Sequence, residues 1–536
     1  MTMQEIKSIL SQSIEQNFGQ KIDPEVSYPD VKFGDFSTNA AFLLAKPLGS
    51  SPVEIAEKLA ARINHEHIES ANAVNGFINI RMTKAYWIEK LYQIDSKYGS
   101  SVVGTEKKLQ VEFISANPTG PLTLGNARGG YLGDVIGRVM KHRGYSVTNE
   151  YYFNDAGTQI RNLVGSVKAA AGLTQKTEDH YPGEYIEELA KDFKSDLETK
   201  DDKELAKILT QAIFERWIKP SIDKMGITYD EWFNESSLVE SGEFDKVLQL
   251  LEEKEISYLK DGALWLASSK FGDERDRVIK KSSGDVTYLG TDIAYHLNIF
   301  NRRGFDHAVK IWGADHAGQV PSLKLTIEQL APGKKLDFVL MQWVRLIKDG
   351  QEVKMSKRAG TYVTVEELVD EVGSDVARFF FLQRSTDTAM DFDLDLAKEQ
   401  SQKNPLYYVM YSYARAHSIL KQASLRGLTP ISSISDISDQ ELALIRYISR
   451  FPGVLEEVIQ DYGVHRLTFF AMETAKLFHD LYESERIIDL DKGVASKRLY
   501  TIQKYTQFMR LLFGLIGVTP LDRMEHNEEP DTSHPS

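Results

Sequence analysis

The sequence predicts an α/β protein whose central domain is a parallel sheet covered by helices. Leu109–Ile114 alternates apolar and polar residues as a strand does, and a helical pattern follows that ends near Gly144. Residues 146–153 have the pattern of a second strand, so this stretch forms a β-loop-α-β unit, the start of a parallel sheet. Residues 1–105 instead mix helical stretches with a short strand, and residues 399–524 fit amphipathic helices almost throughout.

These patterns divide the chain into four predicted segments. They are an α+β N-terminal domain, a central α/β domain, a C-terminal α-helical bundle and a polar tail, over residues 1–105, 106–398, 399–524 and 525–536. Residues from about 160 to 284 are rich in lysine and glutamate and break the strand–helix alternation, so we predict an insertion there. The tail, EHNEEPDTSHPS, is polar and is predicted to be disordered.

Composition excludes several kinds of site. The chain has no cysteine, which excludes disulfides, thiolate zinc sites and a cysteine nucleophile. Its 78 acidic and 64 basic residues give a net charge of −14, which argues against a wholly basic nucleic-acid binder but allows local basic patches. No apolar run approaches the ~18 residues of a membrane helix, and the acidic, amphipathic N-terminal stretch is unlike a targeting peptide. We therefore expect a cytoplasmic protein with no membrane partner.

The loop Pro121–Gly130, PLTLGNARGG, has the layout of a phosphate site. It joins a strand to a helix, where free backbone N–H groups and the positive end of the helix dipole attract an anion. Gly125 lets a nucleotide approach closely, while Thr123 and Asn126 carry hydroxyl and amide donors. The glycines also allow a second explanation, tight packing of the helix on the strand, because their spacing matches neither GxGxxG nor a Walker motif.

Two further motifs place polar groups after predicted strands. Lys354–Gly360, KMSKRAG, carries three cations on a glycine-bounded loop, which suits a triphosphate whose charge shifts during reaction. Gly313–His316, GADH, offers an acid and a histidine that could hold a ribose in the crevice beyond the strand ends. Taken alone, each motif also fits an ordinary solvated loop.

Together the three motifs resemble the signatures of class I aminoacyl-tRNA synthetases, HIGH and KMSKS. More closely, the chain resembles the bacterial-type arginyl-tRNA synthetases over nearly everything before the tail. The stretches that carry the resemblance are GDFSTNAAFLLAKPLG, EFISANPTGPL, YYFNDAGTQI, VTYLGTDIAYH, WGADHAG, DVARFFFLQRSTDTAMDFDLDLA, NPLYYVMYSYARAH and LLFGLIGVTPLDRM. KMSKR matches its signature nearly completely, whereas TLGN keeps only the glycine of HIGH and lacks both histidines.

The resemblance implies the fold and a set of site residues. It implies a Rossmann-like class I catalytic domain with an insertion, an N-terminal domain that contacts the tRNA elbow, and a C-terminal bundle that binds the anticodon. The residues implied for arginine are Glu112, Ser115, Asn117, Tyr288 and Asp292. Those implied for ATP are Gly125, Gly313, Asp315, His316, Lys354, Lys357 and Arg358. Those implied for catalysis are Thr123, Asn126, Lys354 and Lys357, with Lys357 the strongest candidate.

The implied arginine pocket is physically sound. Two carboxylates and a phenol, from Glu112, Asp292 and Tyr288, can accept several of the five N–H groups of a guanidinium. Two alternatives remain open: Asp292 can serve as the N-cap of the helix that follows it, and Tyr288 can be a core side chain.

The implied reaction has two steps. ATP and arginine form arginyl-adenylate and pyrophosphate, and the ribose at the 3′ end of tRNA(Arg) then attacks. ATP is a substrate accompanied by Mg²⁺, no zinc or dedicated metal site is expected, and we expect a monomer. Two alternatives differ in class: a tRNA-binding protein with an impaired active site, which the altered TLGN favours, and a small-molecule nucleotidyltransferase on the same fold, which the helical bundle disfavours.

Overall fold

The computed structural model describes residues 3–155, 157–353, 363–488 and 491–524. The cations of the KMSKR motif and the predicted disordered tail lie outside the described residues. Among the helices in the described ranges, none is long and apolar enough to cross a membrane.

The N-terminal module packs helices against a small antiparallel sheet of order β1-β2-β4-β3. The local sequence explains where its third helix, α3, begins. Ser51 is the N-cap and accepts a hydrogen bond from Glu54 N–H at 3.2 Å, and a proline is the first residue of the helix. The elements are α1 Met3–Phe18, β1 Val26–Ser27, β2 Phe36–Thr38, α2 Ala40–Leu48, α3 Pro52–Ala60, β3 Ile68–Val74, β4 Phe77–Met82 and α4 Lys84–Gln93.

The central module contains a five-stranded parallel sheet of order β12-β11-β5-β6-β7. Its strands are β5 Lys108–Glu112, β6 Ser146–Phe153, β7 Glu231–Asn234, β11 His307–Gly313 and β12 Lys335–Met341. The chain moves outward from β5 to β6 and β7, then returns to place β11 on the other side of β5. The strand order therefore reverses at β5, and in such sheets ligands bind in the crevice beyond the carboxyl ends at that point.

Helices and two smaller sheets surround the parallel sheet. The helices are α5 Leu124–His142, α6 Thr158–Ala170, α7 Glu184–Asp192, α8 Lys194–Thr199, α9 Asp202–Ile213, α10 Lys219–Lys224, α11 Ser236–Glu240, α12 Glu243–Glu253, α13 Tyr288–Leu297, α14 Val320–Leu330, α15 Val365–Val372, α16 Ser374–Leu382 and α17 Leu394–Lys398. Short 3₁₀ or π turns cover Phe214–Ile218, Ser268–Phe271, Asn298–Arg302 and Ala314–Gln319. One small sheet joins β8 Ser257–Lys260, β9 Ala263–Leu266 and β10 Arg277–Lys280; the other joins β13 Val344–Lys348, β14 Gln351–Glu352 and β15 Met390–Asp393.

The C-terminal module is a helical bundle, and the N-terminal module lies against it. Its helices are α18 Pro405–Leu425, α19 Asp439–Ile448, α20 Phe451–Asp461, α21 His465–Ser484 and α22 Lys492–Ile516. Tyr98 stacks on Phe451, and partly buried Arg446 pairs with buried Asp35 at 2.7 Å. Because apolar residues of all three modules join one buried core, the modules are packed together.

The observed architecture confirms the predicted fold class and also shows one feature that the sequence pattern missed. The predicted strand, helix and strand between residues 109 and 153 are β5, α5 and β6. Within the predicted insertion, however, β7 pairs in parallel with β6 and is the edge strand of the central sheet. This strand has four residues, too few for a clear alternation of apolar and polar side chains. The bounds of the four segments remain predictions.

Candidate active site

The carboxyl ends of the parallel strands bring the predicted polar residues to one edge of the sheet. Glu112 is the last residue of β5 and Gly313 the last residue of β11, and these strands are neighbours. Ser115 follows β5, and Asn117 donates from Nδ2 to Gln159 Oε1 at 2.6 Å. The crevice predicted from the motifs therefore lies at the reversal point of the strand order.

The TLGN loop forms the N-terminus of α5, and its two polar side chains are bonded to each other. Asn126 Oδ1 accepts hydrogen bonds from the backbone N–H of Thr123 at 2.9 Å and from its hydroxyl at 2.9 Å. The hydroxyl that we expected to donate to a phosphate thus donates to Asn126. The amide NH₂ of Asn126 takes no part in these two bonds, so it stays available to a ligand.

The glycines of the loop fall into two groups, which correspond to the two explanations offered by the sequence. A Cβ on Gly125 would have only Thr123 Oγ1 near it, at 4.0 Å, and Gly125 is exposed. A Cβ on Gly129, Gly130 or Gly133 would lie within 2.8 Å of a packed side chain, the closest being 2.2 Å from Phe113 Cγ. Gly125 therefore has open space for a ligand, whereas the later glycines let the helix pack closely on the sheet.

A third carboxylate joins the two predicted for the arginine pocket. Glu235 follows β7, is partly buried, and accepts a hydrogen bond from Tyr152 OH at 2.7 Å. Burial raises the pKa of Asp292 to about 8, with further contributions from the charges of Glu112 and Glu235, and Lys310 opposes the shift. The carboxylates of Glu112 and Glu235 therefore lie close enough to disfavour the ionised form of Asp292, and a bound cation would favour it. Sequence reasoning missed Glu235; its only signal was an acid directly after a short strand.

A buried hydrogen-bond network holds Glu112, one of the carboxylates of the pocket. Lys310 Nζ, fully buried in β11, donates to Glu112 Oε2 at 2.7 Å and to Gln110 Oε1 at 3.0 Å. Gln110 in turn donates to Glu150, which also binds Arg303 and Tyr295. Because each of these buried groups has a partner, the network fixes the carboxylate of Glu112 at the end of its strand.

The structure rejects both alternatives for the helix that borders the pocket. The N-cap of α13 is Thr287, whose side chain accepts from Gly290 N–H at 3.3 Å, and Asp292 lies inside the helix. Tyr288 is 57% exposed, so it is not a core side chain. The side chains of Asp292 and Tyr288 therefore serve neither as N-cap nor as core, which is compatible with their binding a ligand.

The protein backbone after β5 is unusual at the residues predicted to bind the α-amino and carboxylate groups of arginine. Ile114 and Ser115 have φ values of 64° and 39°, a left-handed conformation that non-glycine residues rarely adopt. The Ser115 hydroxyl accepts from Tyr152 N–H at 3.1 Å, which holds the turn. Such strain is commonly stored at ligand sites.

The GADH turn is exposed at the neighbouring strand end. The side chains of Asp315 and His316 are 81% and 52% exposed, and His316 Nε2 lies 3.6 Å from Asp315 Oδ2. A Cβ on Gly313 would lie 2.3 Å from Asp315 Oδ1, so a larger residue here would require the exposed Asp315 side chain to move. Both polar side chains are free to face a ribose.

Lys354, Lys357 and Arg358 lie outside the described residues, but the chain that follows them is fixed to the TLGN loop. Val365 N–H donates to Leu122 O at 3.0 Å, and Thr123 forms a β-bridge with Thr364. Thr364 and Glu367 form a capping box at the start of α15, since each side chain accepts from the other residue's backbone N–H, at 3.1 and 2.7 Å. The chain that follows the KMSKR segment is therefore hydrogen-bonded to the start of the TLGN loop.

Three family models match the chain, one for each module. "Arginyl tRNA synthetase N terminal domain" matches residues 4–82, "tRNA synthetases class I (R), catalytic domain" matches 88–393, and "DALR anticodon binding domain" matches 409–524. The chain belongs to the arginyl-tRNA synthetase family. The resemblance predicted from the motifs is confirmed; the correspondence of TLGN with HIGH remains a prediction.

Individual relatives agree with this family. The chain is 39% identical to the arginine–tRNA ligase of Caldanaerobacter subterraneus subsp. tengcongensis, over 97% of this chain and 98% of that protein. A solved putative arginyl-tRNA synthetase from Campylobacter jejuni shares 29% identity with a TM-score of 0.74, covering 83% of this chain and all of that one. The Thermus thermophilus arginyl-tRNA synthetase, at 21% identity and a TM-score of 0.77, shares the fold over 98% of this chain and all of that one.

Proposed function

We propose that this synthetase-family chain is an active arginine–tRNA ligase, which joins L-arginine to the 3′ end of tRNA(Arg) through arginyl-adenylate. The observation that carries the proposal is the pocket of Glu112, Glu235 and Asp292, where burial and neighbouring charges raise the pKa of Asp292 to about 8. A buried group of carboxylates gains most from a bound cation, and arginine is a cation at every physiological pH.

Arginine recognition follows from the geometry of this pocket. A guanidinium presents five N–H donors in a plane, and we assign them to Glu112, Asp292, Glu235 and the phenol of Tyr288. Lys310 already occupies one oxygen of Glu112, which leaves the other oxygen to the substrate. We assign the amino and carboxylate groups of arginine to Ser115 and Asn117, beside the left-handed turn.

ATP is proposed to lie between the α5 N-terminus and the GADH turn. Gly125 has room for close approach, and Asn126 offers its free amide NH₂ beside the positive end of the helix. We assign the ribose to Asp315 and His316, next to Gly313.

Catalysis is proposed to consist of positioning and charge stabilisation, since adenylate formation needs no nucleophilic side chain. Lys354, Lys357 and Arg358 are the proposed phosphate cations, with Lys357 the main contributor to the transition state. Mg²⁺ is proposed to enter with ATP; among the described residues no group of three or more histidine, aspartate or glutamate side chains could hold a metal ion.

The flanking modules are proposed to bind tRNA(Arg), the N-terminal one at the elbow and the bundle at the anticodon. We propose that the chain acts as a monomer in the cytoplasm, where its tRNA substrate is used.

The deciding experiment is arginylation of tRNA(Arg) by the purified protein with ATP and arginine. We expect arginyl-tRNA to form, with lysine in place of arginine giving none, because an ammonium offers three donors at one point where a guanidinium offers five across a plane. The Glu235→Gln variant should raise the KM for arginine more than the KM for ATP. Tight tRNA binding without arginylation would contradict the proposal and favour the impaired-enzyme alternative.

A further inference from the structure

Arg128, in the second turn of α5, is a buried cation whose bonds go to backbone carbonyls. The residue is 2% exposed, and burial lowers the pKa of its guanidinium to about 10. A buried charge is costly unless every donor is used, so its partners indicate what the residue accomplishes.

The three carbonyl partners come from two chain segments. Nη1 donates to Gln342 O at 2.8 Å, and Nη2 donates to Ser385 O at 2.8 Å and to Thr388 O at 3.0 Å. Gln342 directly follows β12 and lies two residues before β13, while Ser385 and Thr388 lie in the turn that precedes β15. One planar guanidinium therefore holds the starting ends of two paired parallel strands.

These strands belong to the small sheet that leads into the KMSKR segment. β13 runs through the turn at Asp349 into β14, which ends at Glu352, two residues before Lys354. Arg128 itself lies five residues after Thr123, on the helix whose N-terminus forms the TLGN loop. The guanidinium thus links the helix that begins at the TLGN loop to the strands that precede the KMSKR segment.

We propose that Arg128 is a positioning residue that sets the location of the β13–β14 hairpin relative to the α5 N-terminus, and thereby the rate of adenylate formation. This inference rests on the proposed function. Its physical basis is that a reaction slows about 10²-fold when the reacting groups are misplaced by roughly 1 Å. A guanidinium donates from separate nitrogen atoms in one plane and so orients its partners, whereas an ammonium donates from a single nitrogen. Arg128 touches neither proposed substrate, so it acts through the elements that it holds.

The test compares the Arg128→Lys and Arg128→Gln variants with an Arg143→Lys control. Arg143 is 4% exposed at the other end of α5, where its Nη1 donates to Gly99 O at 2.7 Å and its Nη2 to Glu456 Oε1 at 3.3 Å, so it matches Arg128 in burial and also binds a backbone carbonyl. The Arg128→Gln variant removes the buried charge, so we expect it to fold even if the Arg128→Lys variant does not. Arginine-dependent pyrophosphate exchange with tRNA present gives kcat and both KM values, and thermal unfolding gives Tm.

We expect kcat to fall about ten- to hundredfold in both Arg128 variants, with the KM for arginine within about twofold of wild type. The control should lose Tm while keeping kcat within about twofold. An unchanged kcat in folded Arg128 variants, or an equal fall in the control at equal loss of Tm, would overturn the proposal.

A second measurement separates this proposal from the proposed function. Hydrogen–deuterium exchange of the segments 342–353 and 385–393 should be faster in the Arg128 variants than in wild type and unchanged in the control. If wild type shows no exchange of pyrophosphate, the proposed function fails, and this measurement still decides whether Arg128 holds the sheet. Unchanged protection of both segments would overturn its positioning role.

Discussion

At the scale of single residues, the arginine pocket is controlled by charge. Asp292 shares the pocket with Glu112 and Glu235, and its pKa is raised to about 8 because burial and both neighbours disfavour the ionised form. A bound guanidinium reverses this preference, so proton release and arginine binding are linked.

We predict that arginine affinity rises with pH up to about 8 and is then constant. Below that pKa the free pocket holds a proton on Asp292 that the complex releases, so Kd should rise by up to about tenfold for each unit of lower pH. Binding measured by calorimetry between pH 6 and 8.5, in buffers of different ionisation enthalpy, should show the released proton. An affinity independent of pH would place Asp292 outside the pocket.

The Asp292→Asn variant should lose both affinity and its pH dependence. A charge-assisted hydrogen bond contributes roughly 1.5–3 kcal/mol, so the KM for arginine should rise between about tenfold and over a hundredfold, with the KM for ATP little changed. Steady-state kinetics at two pH values measures both effects, and an unchanged KM for arginine contradicts the assignment.

Asn126 has two separable tasks, and two variants distinguish them. Asn126→Asp keeps an oxygen that accepts from Thr123, so thermal stability should be retained, but it removes the amide donors proposed for ATP. Asn126→Ala removes both and should cost about 1 kcal/mol of stability along with roughly tenfold or more in activation rate. If the aspartate variant activates arginine as fast as wild type, Asn126 is only a helix cap.

At the scale of elements, α5 has a packed face and an open end. Phe113, from the chain after β5, is fully buried and lies where a Cβ on Gly133 would be, whereas Gly125 is exposed with open space around it. The same helix thus packs on the sheet with its middle and offers its N-terminus to a ligand.

Alanine at these two glycines should therefore have opposite effects. Gly133→Ala should lower the free energy of unfolding by about 1–3 kcal/mol, because the methyl group would lie 2.2 Å from Phe113 Cγ. Gly125→Ala should leave unfolding unchanged and raise the KM for ATP by roughly tenfold, a loss of about 1.4 kcal/mol in binding. Urea unfolding and exchange kinetics on both variants measure this, and equal losses of stability would contradict it.

At the scale of the whole molecule, the N-terminal module is held on the bundle by a buried ion pair. Asp35 Oδ1 lies 2.7 Å from Arg446 Nε, and Asp35 Oδ2 accepts from Met82 N–H at 2.7 Å. The pair therefore joins two modules that are far apart in the sequence.

We predict that Asp35→Ala destabilises the protein by about 3 kcal/mol, because it leaves the partly buried guanidinium of Arg446 without its partner. Asp23→Ala is the matched control: Asp23 is 84% exposed and pairs with Lys7, so its loss should cost less than about 1 kcal/mol. Chemical unfolding measures both, and similar effects of the two variants would contradict a role for the buried pair.

Local patterns in the sequence were sufficient for the elements around the TLGN loop and for the family. Hydrogen bonding in helices and turns is local, so short stretches are enough to predict the strand–turn–helix around TLGN and the capping box at Thr364. The motifs of the arginyl-tRNA synthetase family also lie in short stretches. The strand β7 was missed because four residues carry too little pattern, and Glu235 was missed with it.

Only the tertiary structure decided which groups share a site. Glu112, Glu235 and Asp292 are more than a hundred residues apart from first to last, and no periodicity in the chain indicates that they meet. The division of the glycines and the hold of Arg128 on three carbonyls likewise depend on contacts between distant segments. The physical reason is that secondary structure reflects neighbours along the chain, whereas burial, pKa shifts and packing depend on neighbours in space.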